Sequence, residues 1–251
     1  NGALRIRLAD MLFTGFIWNF LFATATYYAK WAYCTDLTTG AVDTAKLGTF
    51  TMVSSLLMFF PLIIGTLVAS PIMKAIGSPI RFHRILILLE FVPGGILFVL
   101  QMVGLLQSLP AVYLLCMGVC ACAIGMDYIP GEVINIEAMD YEIYKNGKDR
   151  SALCNAANKF LGKAQSAVAS GLVGVILVAV GYEVDSATDT FLGELSSIPV
   201  MLDWFIVIMG LIPFFLGLVG WLVLKRYPIT DEIRADMHEK LSGTSHAAGN
   251  T

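Results

Sequence analysis

Charge is scarce in this sequence. Only 14% of its 251 residues are Asp, Glu, Lys or Arg, and no basic run interleaved with aromatics offers a nucleic-acid surface. Histidine is scarcer still. His83, His238 and His246 fall outside the deepest apolar stretches, and neither a His-Glu-x-x-His helix motif nor a nucleophile elbow is present, so an enzyme is the weakest reading. Of the five cysteines, only Cys34 lies near an oxidising side, so no disulfide is expected. Cys116, Cys120 and Cys122 share one apolar stretch that has no histidine; they read as small apolar filler, with no metal site and no cofactor expected. The first residues, Asn1-Gly2-Ala3-Leu4, show neither an initiator methionine nor a signal-peptide pattern, from which we expect a piece of a longer protein.

Long hydrophobic runs are what the chain has instead. Uncharged cores span 11–29, 47–73, 91–106, 111–126, 164–182 and 204–224, inside a chain of mean hydropathy +0.75 and 57% hydrophobic content. With its flanks, each approaches or exceeds the ~20 residues that a helix needs to cross the hydrocarbon of a bilayer. None carries the polar stripe of a soluble amphipathic helix. The expected class is an all-α, multi-pass membrane protein with helices near 8–33, 47–73, 83–107, 110–134, 154–182 and 200–225. Residues 1–226 then form one compact transmembrane domain and 227–251 a cytoplasmic tail.

Basic residues choose the orientation. Arg5, Arg7, Lys74, Arg81, Arg84, Lys145, Lys148, Arg150, Lys225, Arg226, Arg234 and Lys240 fall on alternate connections, against Lys30 and Lys46 on the opposite ones. Lysine and arginine near helix ends stay cytoplasmic, so both termini are expected inside, in the cell membrane. The loop 183–199 carries Glu183, Asp185, Asp189 and Glu194 without a basic partner and is expected outside. In the tail, Thr230 can cap a helix through Leu241, with Ile233, Met237 and Leu241 on one face and Gly243 as its stop. Such a helix would lie on the cytoplasmic face; a frayed polar tail is the alternative.

Ionisable side chains inside a membrane cost ~2.5–3.5 kcal/mol on insertion scales and point to function. The candidates are Glu90, Asp127, Glu132, Lys159, Lys163 and Asp203. At about 1.5 Å per residue, Asp127 lies roughly 25 Å from the outer start of its helix and Lys163 about 16 Å from the inner start of its own. Lys159 can snorkel to the inner interface; Lys163 is too deep for that and calls for an acidic partner or a ligand. Glu90 can pair with Arg84 or snorkel. Asn19, Thr24 and Tyr27 are deep enough to line a polar cavity, whereas Tyr28, Trp31 and Tyr33 can form an interfacial belt. Pro61, Pro71, Pro93-Gly94-Gly95, Pro130-Gly131 and Pro213 interrupt the helices, as kinks or as breaks at a binding site.

The stretch Asp140-Tyr141-Glu142-Ile143-Tyr144-Lys145-Asn146-Gly147-Lys148, then Lys163, then Gly181-Tyr182, resembles the cytoplasmic loop and following helix of the glycoside–pentoside–hexuronide cation symporters, the melibiose-permease branch of the major facilitator superfamily. Tyr27-Tyr28, the Gly77 turn and Tyr227-Pro228 extend the resemblance over essentially the whole chain, as the C-terminal six-helix half of a twelve-helix protein. The resemblance implies helices 7–12 of that fold, built from two inverted three-helix repeats, and transport of a sugar or glycoside with sodium or a proton by alternating access. It makes Lys163 the lysine beside the cation and sugar sites, with Asn158 and Tyr128 as substrate contacts. Tyr27 and Asn19 complete the expected lining. Asp127 and Glu132, charges outside the family's usual pattern, become partners for Lys163 in ion coupling. Glu137, Asp140, Tyr141, Lys148 and Arg150 correspond to the cytoplasmic gate, although Arg150 is displaced by one place from the family's Gly-Lys-Arg. The family's principal cation carboxylates lie in the N-terminal half, which is the expected partner along with membrane lipid. Two rival readings remain: a facilitator-fold transporter of a non-sugar solute, and a six-helix membrane subunit that transports nothing.

Overall fold

The computed structural model describes residues 2–248, with side chains described through residue 241. Six of its helices are long and apolar enough to cross a membrane. They are α1 (Gly2–Tyr33), α2 (Thr44–Ile76), α3 (Pro79–Met102), α4 (Pro110–Asn146), α5 (Ser151–Ala179) and a sixth span built from α6 (Ser197–Ile206) and α7 (Ile212–Leu224). α1, α2 and α4 overrun the expected limits because hydropathy marks where lipid ends, not where the backbone stops coiling, whereas α3 and α5 begin earlier and end at Met102 and Ala179, short of the expected 107 and 182. α4 continues past position 134 to Asn146, where Gly147 at φ 63° closes it. Similarly, α2 ends at Gly77, whose backbone N–H returns to the Met73 carbonyl.

The sixth span is not a plain α-helix. Residues Val207–Leu211 form a wide π-turn immediately before Pro213, whose missing N–H cannot continue the ordinary ladder. This turn presses Gly210 onto α3 at Gly94; a Cβ on Gly210 would stand 2.6 Å from the Gly94 carbonyl oxygen. A second backbone-to-backbone approach joins α2 and α4, where a Cβ on Gly125 would collide with the Leu62 carbonyl. Thr66 Oγ1 lies 3.0 Å from the Gly125 carbonyl oxygen at the same crossing. Small residues at such crossings are what let helices pack in lipid.

At the outer end, the aromatics of α1 face inward. Tyr28, Trp31 and Tyr33 are all buried. Tyr28 donates to Gln101 Oε1 at 2.7 Å, Tyr33 to the Leu106 carbonyl at 3.1 Å, and Tyr113 of α4 to the Ala25 carbonyl at 3.0 Å. The interfacial-belt option is therefore corrected: the Tyr28 and Tyr33 hydroxyls find protein partners, and all three rings plug the bundle. The acidic outer loop does have a basic partner, Lys30 of α1, whose Nζ is 2.6 Å from Asp189. The Phe191 N–H also donates to the Gly40 carbonyl across the two outer loops, at 2.9 Å.

At the other end, the tail forms α8 (Asp231–Ala248). Thr230 Oγ1 accepts from the Ile233 N–H at 3.3 Å, as its capping role requires. Gly243 does not stop the helix; a mid-helix glycine costs only ~1 kcal/mol against alanine and terminates a helix only when the chain turns left-handed there. Met237 and Ile229 pack with Ala3, Ala138 and Tyr141 in a small core of their own. α8 is thereby docked onto the inner extension of α4.

Candidate functional site

Four elements meet in the inner half of the bundle around a group of charges. α1 brings Arg7 and Asp10 one turn apart, α3 brings His83 and, two turns further along the same face, Glu90, and α4 brings Asp127, Glu132 and Asn135. Arg7 is 6% exposed, Asp10 0% and His83 1%. Arg7 spends every arm of its guanidinium: Nε donates to Asn135 Oδ1 at 2.7 Å, Nη2 to the Gly131 carbonyl at 3.1 Å, and Nη1 to Asp10 Oδ2. The same Asp10 oxygen lies 3.0 Å from His83 Nε2, while His83 Nδ1 faces Asp127 Oδ1. A carboxylate only accepts, so an imidazole with a carboxylate at each nitrogen is held as the doubly protonated cation. α1, α3 and α4 are thus tied by two cations and two anions.

A cleft of about 280 Å³ opens beside this network. Glu90, Asp127, Tyr128 and Glu132 line it together with Trp18, Thr14 and Asn135. Tyr128 stands at the lip, 69% exposed, and Glu132 is bonded by Asn135 Nδ2 at 3.3 Å. A second pocket, of about 160 Å³, lies nearer the outer end between α1, α2 and α4, lined by Thr26, Thr51, Ser54 and Ser55 among aromatics.

The sequence-predicted residues are divided between these places. Asp127, Glu132 and Tyr128 share the inner cleft. Lys163 does not reach them: it is exposed on α5 and makes no ion pair among the described residues. The expected Lys163–Asp127 partnership is corrected, because His83 already occupies the Asp127 carboxylate. Lys159 is exposed on the same face, and Asn158, half-buried beside it, has a buried Oδ1 without a hydrogen-bond partner. Asn19 returns its amide to the Gly15 carbonyl at 2.8 Å. Tyr27 belongs to the outer aromatic plug, its ring 5.7 Å from that of Phe205 and 6.4 Å from that of Tyr182.

At the end of the bundle that carries α8, Glu137 takes a paired contact from Arg234 of that helix, at 2.6 and 3.2 Å. The partner is thus the tail, which sequence reasoning had left outside the gate. Arg150 stands 3.6 Å from Glu142, so the displaced arginine still meets a carboxylate. Tyr141 is buried under α8, Asp140 is half-buried, and Lys148 is exposed.

Sequence reasoning missed Arg7, Asp10 and His83 as site residues. Arg7 was counted with the topological charges, Asp10 fell just short of the first apolar core, and His83 was placed outside the deep bundle; all three are buried at the junction of α1, α3 and α4. A usable signal existed in the Arg7/Asp10 spacing at the mouth of a spanning helix and the seven-residue spacing of His83 and Glu90, each of which sets two ionisable groups on one face.

No curated protein and no solved structure matches the chain. A family model does match, that of the MFS/sugar transport proteins, over residues 3–231. A bundle of six spanning helices, a charged inner cleft and a match over nearly the whole sequence lead to one conclusion: this multi-pass membrane chain belongs to the MFS/sugar transport protein family.

Proposed function

We propose that the chain is the C-terminal six-helix half of a sugar transporter coupled to a cation, sodium or proton, working by alternating access with both termini in the cytoplasm of the cell. The observation that carries this reading is the open face of α5. Lys163 stands there about 18 Å into the helix at 1.5 Å per residue, beside exposed Ser166 and Ser170. Facing lipid, an ammonium at that depth would cost several kcal/mol, so the face needs water and a second protein half. Tyr128 and Glu132 at the lip of the inner cleft, and the hydroxyls of the outer pocket, add polar surface on the neighbouring helices.

In this reading Lys163 meets an acidic group or sugar hydroxyls contributed across the interface, and Asn158, whose Oδ1 awaits a donor, joins it. Tyr27 and Asn19 support the wall from behind. Glu137 and Tyr141, held by α8, together with Asp140, Glu142–Arg150 and Lys148, form the inner gate. Transport then follows from differential binding in inward- and outward-open states, with no covalent step. The test is coupled sugar uptake by the full-length transporter carrying Lys163→Ala at unchanged expression. Loss of accumulation supports the reading; wild-type accumulation refutes the role of Lys163.

A further inference from the structure

Apart from Glu132, which is exposed at the lip, the charge count around the inner cleft leaves one group over. Arg7 and His83 are matched by Asp10 and Asp127, contact for contact. Glu90 is a third carboxylate in the same neighbourhood, 6% exposed, and its side chain has no hydrogen bond or ion pair among the described residues. Its backbone carbonyl accepts from the Cys120 thiol at 3.3 Å, so the residue is held firmly while its carboxyl is left alone. The charges that act on it are those of Asp127, His83, Asp10 and Arg7. Asp10 Oδ1, fully buried, is likewise without a partner.

We propose that Glu90 is a proton-binding site, loading and unloading one proton through the inner cleft. A buried carboxylate with no counter-cation is several kcal/mol out of balance and must take up a cation or be neutralised. A proton suits the surroundings better than a metal ion, since no three His, Cys, Asp or Glu side chains among the described residues are arranged to hold one. Access is one-sided. Toward the cleft, Glu90 shares about 280 Å³ with Asp127 and Glu132. Behind it, Ile17, Leu21, Pro93, Leu97 and Met209 enclose about 10 Å³, at the lower limit for one water.

α1 contributes Arg7 and Asp10; α3 itself contributes His83; α4 contributes Asp127, Glu132, Cys116 and Cys120; the π-turn segment presents Met209, which does not titrate. In the loading step, a proton from water in the cleft forms one O–H bond on a Glu90 carboxylate oxygen. In unloading, that bond breaks and the proton returns to water; no other bond changes. With the proton bound, Arg7, His83, Asp10, Asp127 and Glu90 sum to zero. Without it, the extra negative charge competes with Asp10 and Asp127 for Arg7 and His83, the two cations that tie α1, α3 and α4. Proton occupancy is therefore coupled to how tightly those helices close around the cleft.

The site rests on the transport reading only for what the proton drives, and the test separates the two. Infrared difference spectra of the purified full-length protein, between acid and alkaline buffers, should contain a protonated-carboxyl band that shifts in deuterated water and disappears in Glu90→Gln. Absence of the band in the native protein, or its persistence in Glu90→Gln, overturns the proposal. Should Glu90→Gln not fold, a displaced band in Glu90→Asp supports the site and an unmoved band overturns it. In proteoliposomes, Glu90→Gln should lose substrate-induced proton uptake; proton uptake at the native level overturns the proposal. Absence of any solute transport by the native protein would remove the transport reading, and the infrared band would still decide the site.

Discussion

Removing Arg7 alone should harm the protein more than removing Arg7 and Asp10 together. Arg7→Gln keeps the length and polarity of the stem but takes one cation from a set in which two cations face two paired carboxylates. Asp10, fully buried, would then share His83 with Asp127, and Asn135 Oδ1 and the Gly131 carbonyl would each lose a donor. Breaking a buried pair by deleting one partner costs about 3–5 kcal/mol. For a chain of this size, with ~2–4 °C of melting shift per kcal/mol, the midpoint should fall by roughly 6–20 °C. In Arg7→Gln/Asp10→Asn the remaining pair, His83 with Asp127, is neutral again, so part of that loss should return, with a coupling of about 1–3 kcal/mol. The assay is thermal unfolding of the purified protein in detergent, read for the native protein, both single variants and the double. A double variant no more stable than Arg7→Gln would refute the idea that charge balance, and not mere packing, holds α1 against α3 and α4.

Two further outcomes follow from other parts of the bundle. Gly125→Val at the α2–α4 crossing should destabilise by about 1–3 kcal/mol or more, since its side chain meets the Leu62 backbone and not a movable side chain, whereas Gly174→Ala, mid-helix with nothing within 4 Å of the new Cβ, should be more stable than the native protein by up to about 1 kcal/mol. The contact of Asp236 with Tyr144 and Lys240, one of those that dock α8, should be insensitive to pH across the neutral range. The Tyr144 hydroxyl, at 2.5 Å, and Lys240, at 3.0 Å, hold the Asp236 carboxyl below its ordinary range. Because that folded value is depressed, the stabilisation is fully present above about pH 4 and is lost as pH falls through the lowered value. With His238 replaced by Gln, hydrogen-exchange protection of 231–241 that declined between neutral pH and about pH 5 would contradict this assignment.

How much of this could be read without the fold depends on the range of the interaction. The six spans were legible because each is a local fact: an uncharged run long enough for a bilayer has one stable outcome in lipid, where every backbone group must bond within its own segment. Gly77 and Gly147 were legible as turns for the same reason, since only glycine adopts φ near +70° without strain. The α8 cap at Thr230 was local too. The limits of α4 were not, because its inner extension is stabilised by α8, which returns from about ninety residues away, as in the Tyr144–Asp236 bond with a separation of 92.

The amino-acid sequence by itself determined that this chain spans a membrane six times, which connections carry the basic residues, and that deep polar groups on α4 and α5 call for partners. The identity of those partners was decided only by tertiary structure. Arg7 bonds Asn135 across 128 positions and His83 bonds Asp10 across 73. Nothing in the local pattern distinguishes an arginine that snorkels to the interface from one that is buried and paired, because both sit at the mouth of a spanning helix. Likewise, Asp127 and Lys163 are each conspicuous in sequence, but helix rotation turns Asp127 inward to His83 and Lys163 outward to the open face. The physical reason is general: hydropathy fixes depth along a helix axis, while the angle about that axis is fixed by close contacts such as Gly125 against Leu62 and Gly210 against Gly94.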